Sequence, residues 1–212
     1  LAAQDRLSTL RRMHPPQPDL PALVEDLQNR GIRLIALTSR GHDLRDATRR
    51  ELLRNGYDLG RNPIAPRPGF VGDDPYLPYQ PGNLAARGLT GEGAARFGLG
   101  SPRPVSYRNG IYLTAGQHKG AMLRSLLART GRDFRAIVFL DDSEEKVRDM
   151  IDAFPPASGR ELKALVYTRA APLAAAFSSA TARTAAISAW NRLAATLVEV
   201  FPSRRGLVPS LS

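Results

Sequence analysis

From Ala136 to Leu140 the chain runs through strand-favouring apolar residues without a break, then stops on two adjacent carboxylates, Asp141 and Asp142. An apolar run with no polar alternation reads as a strand buried on both faces, the pattern of parallel sheets covered by helices. Open α/β sheets bind ligands beyond the carboxyl ends of their strands, which is where Asp141 and Asp142 fall.

The neighbouring segments fit such a sheet. A helix is expected from Leu20 to Arg30, with Asp19 as N-cap, Pro21 in the first turn and Gly31 as C-cap. Ile32 to Leu37 reads as a strand that runs out into Thr38-Ser39-Arg40-Gly41, and Asp43 to Asn55 as a helix closed by Gly56. Order resumes at Ile111 to Thr114, a short strand, followed by Gln117-His118-Lys119 and a helix to Arg129. Phe134 to Leu140 is the next strand, Ser143 to Phe154 a helix stopped by Pro155-Pro156, and Leu162 to Thr168 a further strand. Strands separated by helices of this length imply the α/β class, with a doubly wound, mostly parallel sheet.

Three stretches depart from that rhythm. Residues 57–108 are rich in Pro and Gly and read as a cap-like or loop insertion over the sheet's active edge. Residues 170–201 read as Ala-rich helices packed down by Phe177, Ile187, Trp190, Leu193, Leu197 and Val200. At the other end, Leu7, Leu10 and Met13 mark a short amphipathic piece before the stiff His14-Pro15-Pro16-Gln17-Pro18 connector. A chain of 212 residues forms one good core, so a single domain over 1–212 is expected.

Composition removes several chemistries. With no cysteine in the chain, disulfides, thiolate catalysis and Cys-ligated zinc are excluded. No apolar run reaches membrane-spanning length. The net charge of +10 is nearly all arginine and is spread along the chain, so it reads as no nucleic-acid face and serves an anionic small substrate equally well. His14, His42 and His118 are too scattered for a His-based zinc site. Gly91-x-Gly93 lacks both a preceding strand and a third glycine, so the dinucleotide fingerprint fails, as does any P-loop. The first residue is Leu1 and no leader pattern follows it, so neither compartment nor oligomeric state is written here.

Three stations remain in order: a strand ending in Thr38, a helix opening with Lys119 and a strand ending in Asp141-Asp142. They resemble the later motifs of the haloacid dehalogenase superfamily. The strings LIALTSRG, GQHKGAML and IVFLDDSEEKV are similar to a bacterial family within it known only as a domain of unknown function. The resemblance covers about Pro18 to Thr168 and implies a phosphohydrolase with that superfamily's Rossmann-like fold. On it, Thr38 binds the transferring phosphoryl group, Lys119 offsets the crowd of negative charge, and Asp141 and Asp142 hold Mg²⁺. Ser39, Arg40, Gln117 and His118 flank these stations as candidate contacts to a small phosphorylated substrate. Adjacent carboxylates at a strand tip repel, so both stay ionised only where cations share the site, which suits one Lys and an oxygen-ligated Mg²⁺.

The superfamily's first motif, a strand ending in Asp-x-Asp, is missing. Asp5 follows no apolar strand. That motif supplies the nucleophile and the general acid, and its strand lies mid-sheet, between the strands ending at Leu37 and Leu140. Without it two rows of backbone groups are expected to stay unpaired. The expectation is that a natural segment upstream of Leu1 supplies this strand. Plainer roles stay open: Asp141-Asp142 as a helix N-cap, Thr38 as a turn hydroxyl, Lys119 as a solvated first-turn residue, and Asp73-Asp74 as a turn. The rival to an enzyme is a catalytically degenerate module that keeps the fold and binds a phosphorylated ligand, a protein or nucleic acid.

Overall fold

The computed structural model describes residues 14–64, 74–89, 91–172, 175 and 179–200. The amphipathic piece before the connector, Asp73, Phe177 and the tail from Pro202 lie outside the described residues. The chain divides into two units, residues 8–167 and the pair of segments 1–7 and 168–212.

In the larger unit the elements are α1 (Leu20–Asn29), β1 (Ala36–Thr38), α2 (Arg45–Arg54), α3 (Gly91–Arg96), β2 (Ser106–Arg108), β3 (Ile111–Leu113), α4 (Lys119–Thr130), β4 (Ala136–Asp141), α5 (Glu144–Ala153) and β5 (Glu161–Val166). In the smaller unit the longest element is α6 (Ala180–Val200), on which Trp190 is buried while Leu193 and Val200 are exposed. Among the described residues no helix is long and apolar enough to cross a membrane.

The class is mixed α/β, with strands in two small sheets. One has the order β1-β3-β2, with β1 parallel and β2 antiparallel to β3; the other pairs β4 with β5 in parallel. The expected single doubly wound sheet is not what these pairings form, because no described strand joins β1 to β4. The unpaired rows follow from the ladder register. Thr114 N donates to Thr38 O and Ala36 N to Gly110 O, so Ala36 and Thr38 face β3. Leu37 therefore turns its N–H and C=O to the opposite edge. On β4, Glu161 N donates to Arg135 O and Tyr167 N to Asp141 O, so the odd-numbered residues face β5. The backbone groups of Ala136, Val138 and Leu140 point to the other edge, where no described strand pairs with them.

The three-stranded sheet is covered on both faces. Leu34, Ala36, Ile111 and Leu113 pack with Val24, Leu44 and Leu52, against α1 and α2. Ile35, Leu37 and Tyr112 join the larger core with Met122, Leu126 and Met150. The described residues cover the two-stranded sheet on one face only. Ile137, Phe139, Leu162 and Ala164 turn into the core, while Val138 is 67% and Leu140 57% exposed. The reading of Ala136–Leu140 as a strand buried on both faces is thus corrected. Apolarity is a property of the residues, whereas burial of the second face needs a neighbour that the described residues do not place there.

The 57–108 stretch is more than a loop. Tyr79, Leu89, Phe97, Leu99 and Val105 are buried members of the main core, so this stretch helps build the unit. Its end forms a strand missed in the sequence. β2 turns into β3 through Asn109-Gly110, with φ of 50° and 72° and Arg108 opposite Ile111. Asn-Gly with both residues at positive φ is the two-residue hairpin turn, and it was legible in the sequence. A side chain at Gly110 would also overlap Leu59 O.

Helices α4 and α5 meet at a glycine. A Cβ at Gly120 would overlap the carbonyl oxygen of Asp149 and Cβ of Ala153. Gly120→Ala forces the helices apart beside Lys119 and is expected to destabilise the fold by about 1–3 kcal/mol, read from urea unfolding. An unchanged midpoint would show that this contact does not set the helix spacing.

Candidate functional site

The segment 114–119 leads from β3 into α4 and joins the three stations. Thr114 is fully buried; its N donates to Thr38 O at 2.9 Å and its Oγ1 to the same oxygen at 3.0 Å. Ala115 N donates to Arg40 O at 3.0 Å. The turn after β3 is thereby fastened to the turn after β1. Five residues on, Lys119 opens α4, and its Nζ lies 2.5 Å from Asp141 Oδ2, with both side chains 9% exposed. Lys119 follows the carboxyl end of β3, which runs parallel to β1, and touches the carboxyl end of β4, so the pair links the ends of parallel strands from the two sheets.

The carboxylates differ in environment. Asp141 accepts from Lys119 through Oδ2 and from Ser143 N through Oδ1 at 3.0 Å. Asp142 is exposed and makes no side-chain hydrogen bond or ion pair among the described residues. Asp141 Oδ1 thus closes a turn onto Ser143, the N-cap residue of α5, whose own side chain makes no capping bond, while Oδ2 pairs with Lys119.

The flanking candidates divide. Arg40 N lies 3.4 Å from Thr38 Oγ1, and Arg40 Nη1 donates to Thr48 Oγ1 at 3.0 Å, which turns the guanidinium toward α2. Ser39 is exposed at the β1 tip. The buried Gln117 amide is committed internally: Nε2 donates to Arg103 O and Thr114 O, and Oε1 accepts from Arg103 N. It fastens the 97–105 stretch to the loop before α4.

His118 is the N-cap of α4. Its Nδ1 accepts from Ala121 N at 3.1 Å, which places the neutral ring's proton on Nε2, 3.3 Å from Asp149 Oδ1. The ring packs on Phe97 with centroids 4.4 Å apart. Burial lowers its pKa below the ordinary value, and the opposing pull of Asp149 only partly offsets this. Asp149 Oδ2 also accepts from Lys119 N at 3.1 Å.

Thr114, Asp149 and Phe97 escaped the sequence reading. Asp149 lies within α5, where carboxylates are ordinary surface residues, and its role depends on how α5 crosses the start of α4. Thr114 ends a short strand and carries no motif. Of the singled-out pair Asp73-Asp74, Asp74 Oδ2 meets Arg45 Nη2 at 2.5 Å, which ties the insertion to the start of α2.

The family model described as a protein of unknown function, DUF2608, matches residues 3–200. The chain belongs to that family. No curated protein and no solved structure matches it. The expected membership of a family of unknown function therefore holds, and what a DUF2608 chain does must be argued from its site.

Two outcomes test the geometry. Removing one partner of a buried ion pair strands the other charge, so Lys119→Met is expected to cost about 3–5 kcal/mol in urea unfolding. Asp141→Asn in the same chain should recover part of that loss, and strict additivity would mean that the pair is not coupled. For His118, the unfolded imidazole takes up its proton at a higher pH than the folded one. Its contribution is therefore complete above about pH 6.5 and is lost as pH falls through that value toward the lowered folded pKa. His118→Gln should flatten this part of the stability profile, measured as the urea midpoint against pH.

Proposed function

We propose that this DUF2608 chain forms the phosphate-facing part of a Mg²⁺-dependent phosphohydrolase of the haloacid dehalogenase type. Its nucleophilic Asp would come on a strand outside residues 1–212, upstream of Leu1. The observation that carries this reading is the Lys119 Nζ–Asp141 Oδ2 pair of 2.5 Å, which links the ends of parallel strands from the two sheets. Among the described residues no strand pairs with the outer edges of β1 and β4, which supports the second part, since one parallel strand lying between them would pair with Leu37 on one side and with Val138 and Leu140 on the other.

Each residue then has a task. The Lys119 ammonium would stabilise charge building on phosphoryl oxygens, held in place by Asp141 and shielded from water by its burial. The Thr38 hydroxyl would donate to a phosphoryl oxygen, positioned by the two bonds that Thr114 makes to its carbonyl. Ser39 and Asp142, both exposed at the strand tips, would face substrate and cation respectively.

The donor set suits Mg²⁺ in one way only. Among the described residues no three His, Asp or Glu side chains gather to cage a metal. A Mg²⁺ held by Asp141 and Asp142, with most of its shell left to water and substrate oxygens, is compatible with that. When bound it would neutralise phosphate charge.

The rival, a degenerate module that binds a phosphorylated ligand without turnover, is favoured by one observation: both Asp141 oxygens already have protein partners. The full-length protein assayed with an aryl phosphate and Mg²⁺ separates the two. Under the enzyme reading it hydrolyses the ester, and Asp141→Asn lowers kcat/KM by about 100-fold or more with the circular dichroism spectrum unchanged. Saturable phosphate-ester binding with no turnover would sink the enzyme and leave the module.

A further inference from the structure

Arg103 stands between two prolines, in the run Ser101-Pro102-Arg103-Pro104, and its backbone is held by a buried side chain. Gln117, 5% exposed, accepts from Arg103 N through Oε1 and donates from Nε2 to Arg103 O, each at 3.0 Å. A residue that precedes proline is restricted to extended backbone, which leaves residue 103 little freedom. Its main chain is therefore set against the loop before α4 independently of its own side chain.

The guanidinium lies beside that same loop. Arg103 Nη2 is 3.8 Å from the position a Cβ would take at Gly116, where the backbone turns with φ of 72°. Ala115, the residue before, donates its N–H to Arg40 O in the turn that follows Thr38. Lys119 comes three residues after Gly116, at most about 10–11 Å away by chain reach. Arg103 is exposed and makes no side-chain hydrogen bond or ion pair among the described residues. A solvated arginine gains nothing from so firm a hold on its main chain. An arginine that grips a ligand does gain, because less freedom is lost on binding.

We infer that Arg103 is a specificity-determining residue of the phosphate site and selects phosphomonoesters that carry a second oxyanion, a carboxylate or another phosphate, on a short carbon skeleton. This rests on the reading of Thr38 and Lys119 as the phosphate-facing residues. With the phosphoryl group held by them, the rest of the substrate extends toward Gly116, which puts no side chain in its way. There the second group offers paired oxygens that match the planar fork of the guanidinium. The short span between Gly116 and Lys119 keeps the two anionic groups only a few bonds apart. A monoester with a neutral far end leaves Arg103 unused.

The test is calorimetric titration of the full-length protein at fixed free Mg²⁺ and constant ionic strength with three compounds of equal chain length. Glycerol 3-phosphate ends in a neutral hydroxyl, 3-phosphoglycerate in a carboxylate and 1,3-propanediol bisphosphate in a second phosphate. At least one of the last two should bind about tenfold or more tightly than glycerol 3-phosphate, and which one does so assigns the group. Arg103→Gln, at an exposed side chain that strands no partner, should bring that ratio close to one. Arg103→Lys, which keeps the charge without the fork, should retain only part of it. Arg30→Gln, which removes an exposed charge from α1, should leave the ratio as it was. Equal affinity for the three compounds, no binding of any, or a preference that survives Arg103→Gln or falls equally with Arg30→Gln overturns the inference. Hydrolysis of an aryl phosphate by the same protein reports on the enzyme separately. Turnover without the preference sinks the role of Arg103 alone, and the preference without turnover sinks the enzyme alone.

Discussion

The ion pair between Lys119 and Asp141 is the constraint around which this molecule is arranged. Two charges removed from water are costly unless they meet closely and their remaining atoms find partners. Here they meet at 2.5 Å, Asp141 takes a second bond from Ser143 N, and Lys119 N is held by Asp149. Each of these partners comes from a different place: the start of α4, the end of β4 and the body of α5. Keeping the pair intact therefore fixes how α4 crosses α5 and how both meet the strand tip. The absence of a side chain at Gly120, next to the lysine, lets the helices approach closely enough for this.

The same pair links the two sheets although they do not form one sheet. The hydrogen bonds from Thr114 and Ala115 bind the β3 turn to the β1 turn, and Lys119 carries that assembly onto β4. Among the described residues, no strand pairs with the backbone rows of Leu37 on β1 or of Ala136, Val138 and Leu140 on β4. An open strand edge bearing exposed Val138 and Leu140 is one that proteins ordinarily cover, because it invites pairing.

Much of the fold was legible because it depends on local pattern. Helices at Leu20–Asn29, Glu144–Ala153 and Lys119–Thr130 follow from apolar spacing and their terminal signals, and each lies within a few residues of expectation. The β2–β3 hairpin was equally local, yet the Pro-rich stretch before it hid its Asn109-Gly110 turn. That stretch lacks periodicity because its buried residues, Tyr79, Leu89, Phe97, Leu99 and Val105, enter the core singly from irregular backbone. Of the candidate site, Lys119 and Asp141 were visible as residues at strand and helix ends. Gln117 and His118 looked alike in sequence, but one braces Arg103 and the other caps α4 against Phe97.

The sequence by itself determined that strand and helix alternate, that cysteine chemistry is absent, and that Thr38, Lys119 and Asp141-Asp142 stand at the ends of elements. These follow from side-chain periodicity and composition, which are carried by neighbouring residues. Only the tertiary structure decided that Lys119 reaches Asp141, that Asp149 holds the lysine's backbone, and that the strands form two sheets. Those outcomes rest on residues many positions apart meeting in space, and no local pattern encodes the distance between them.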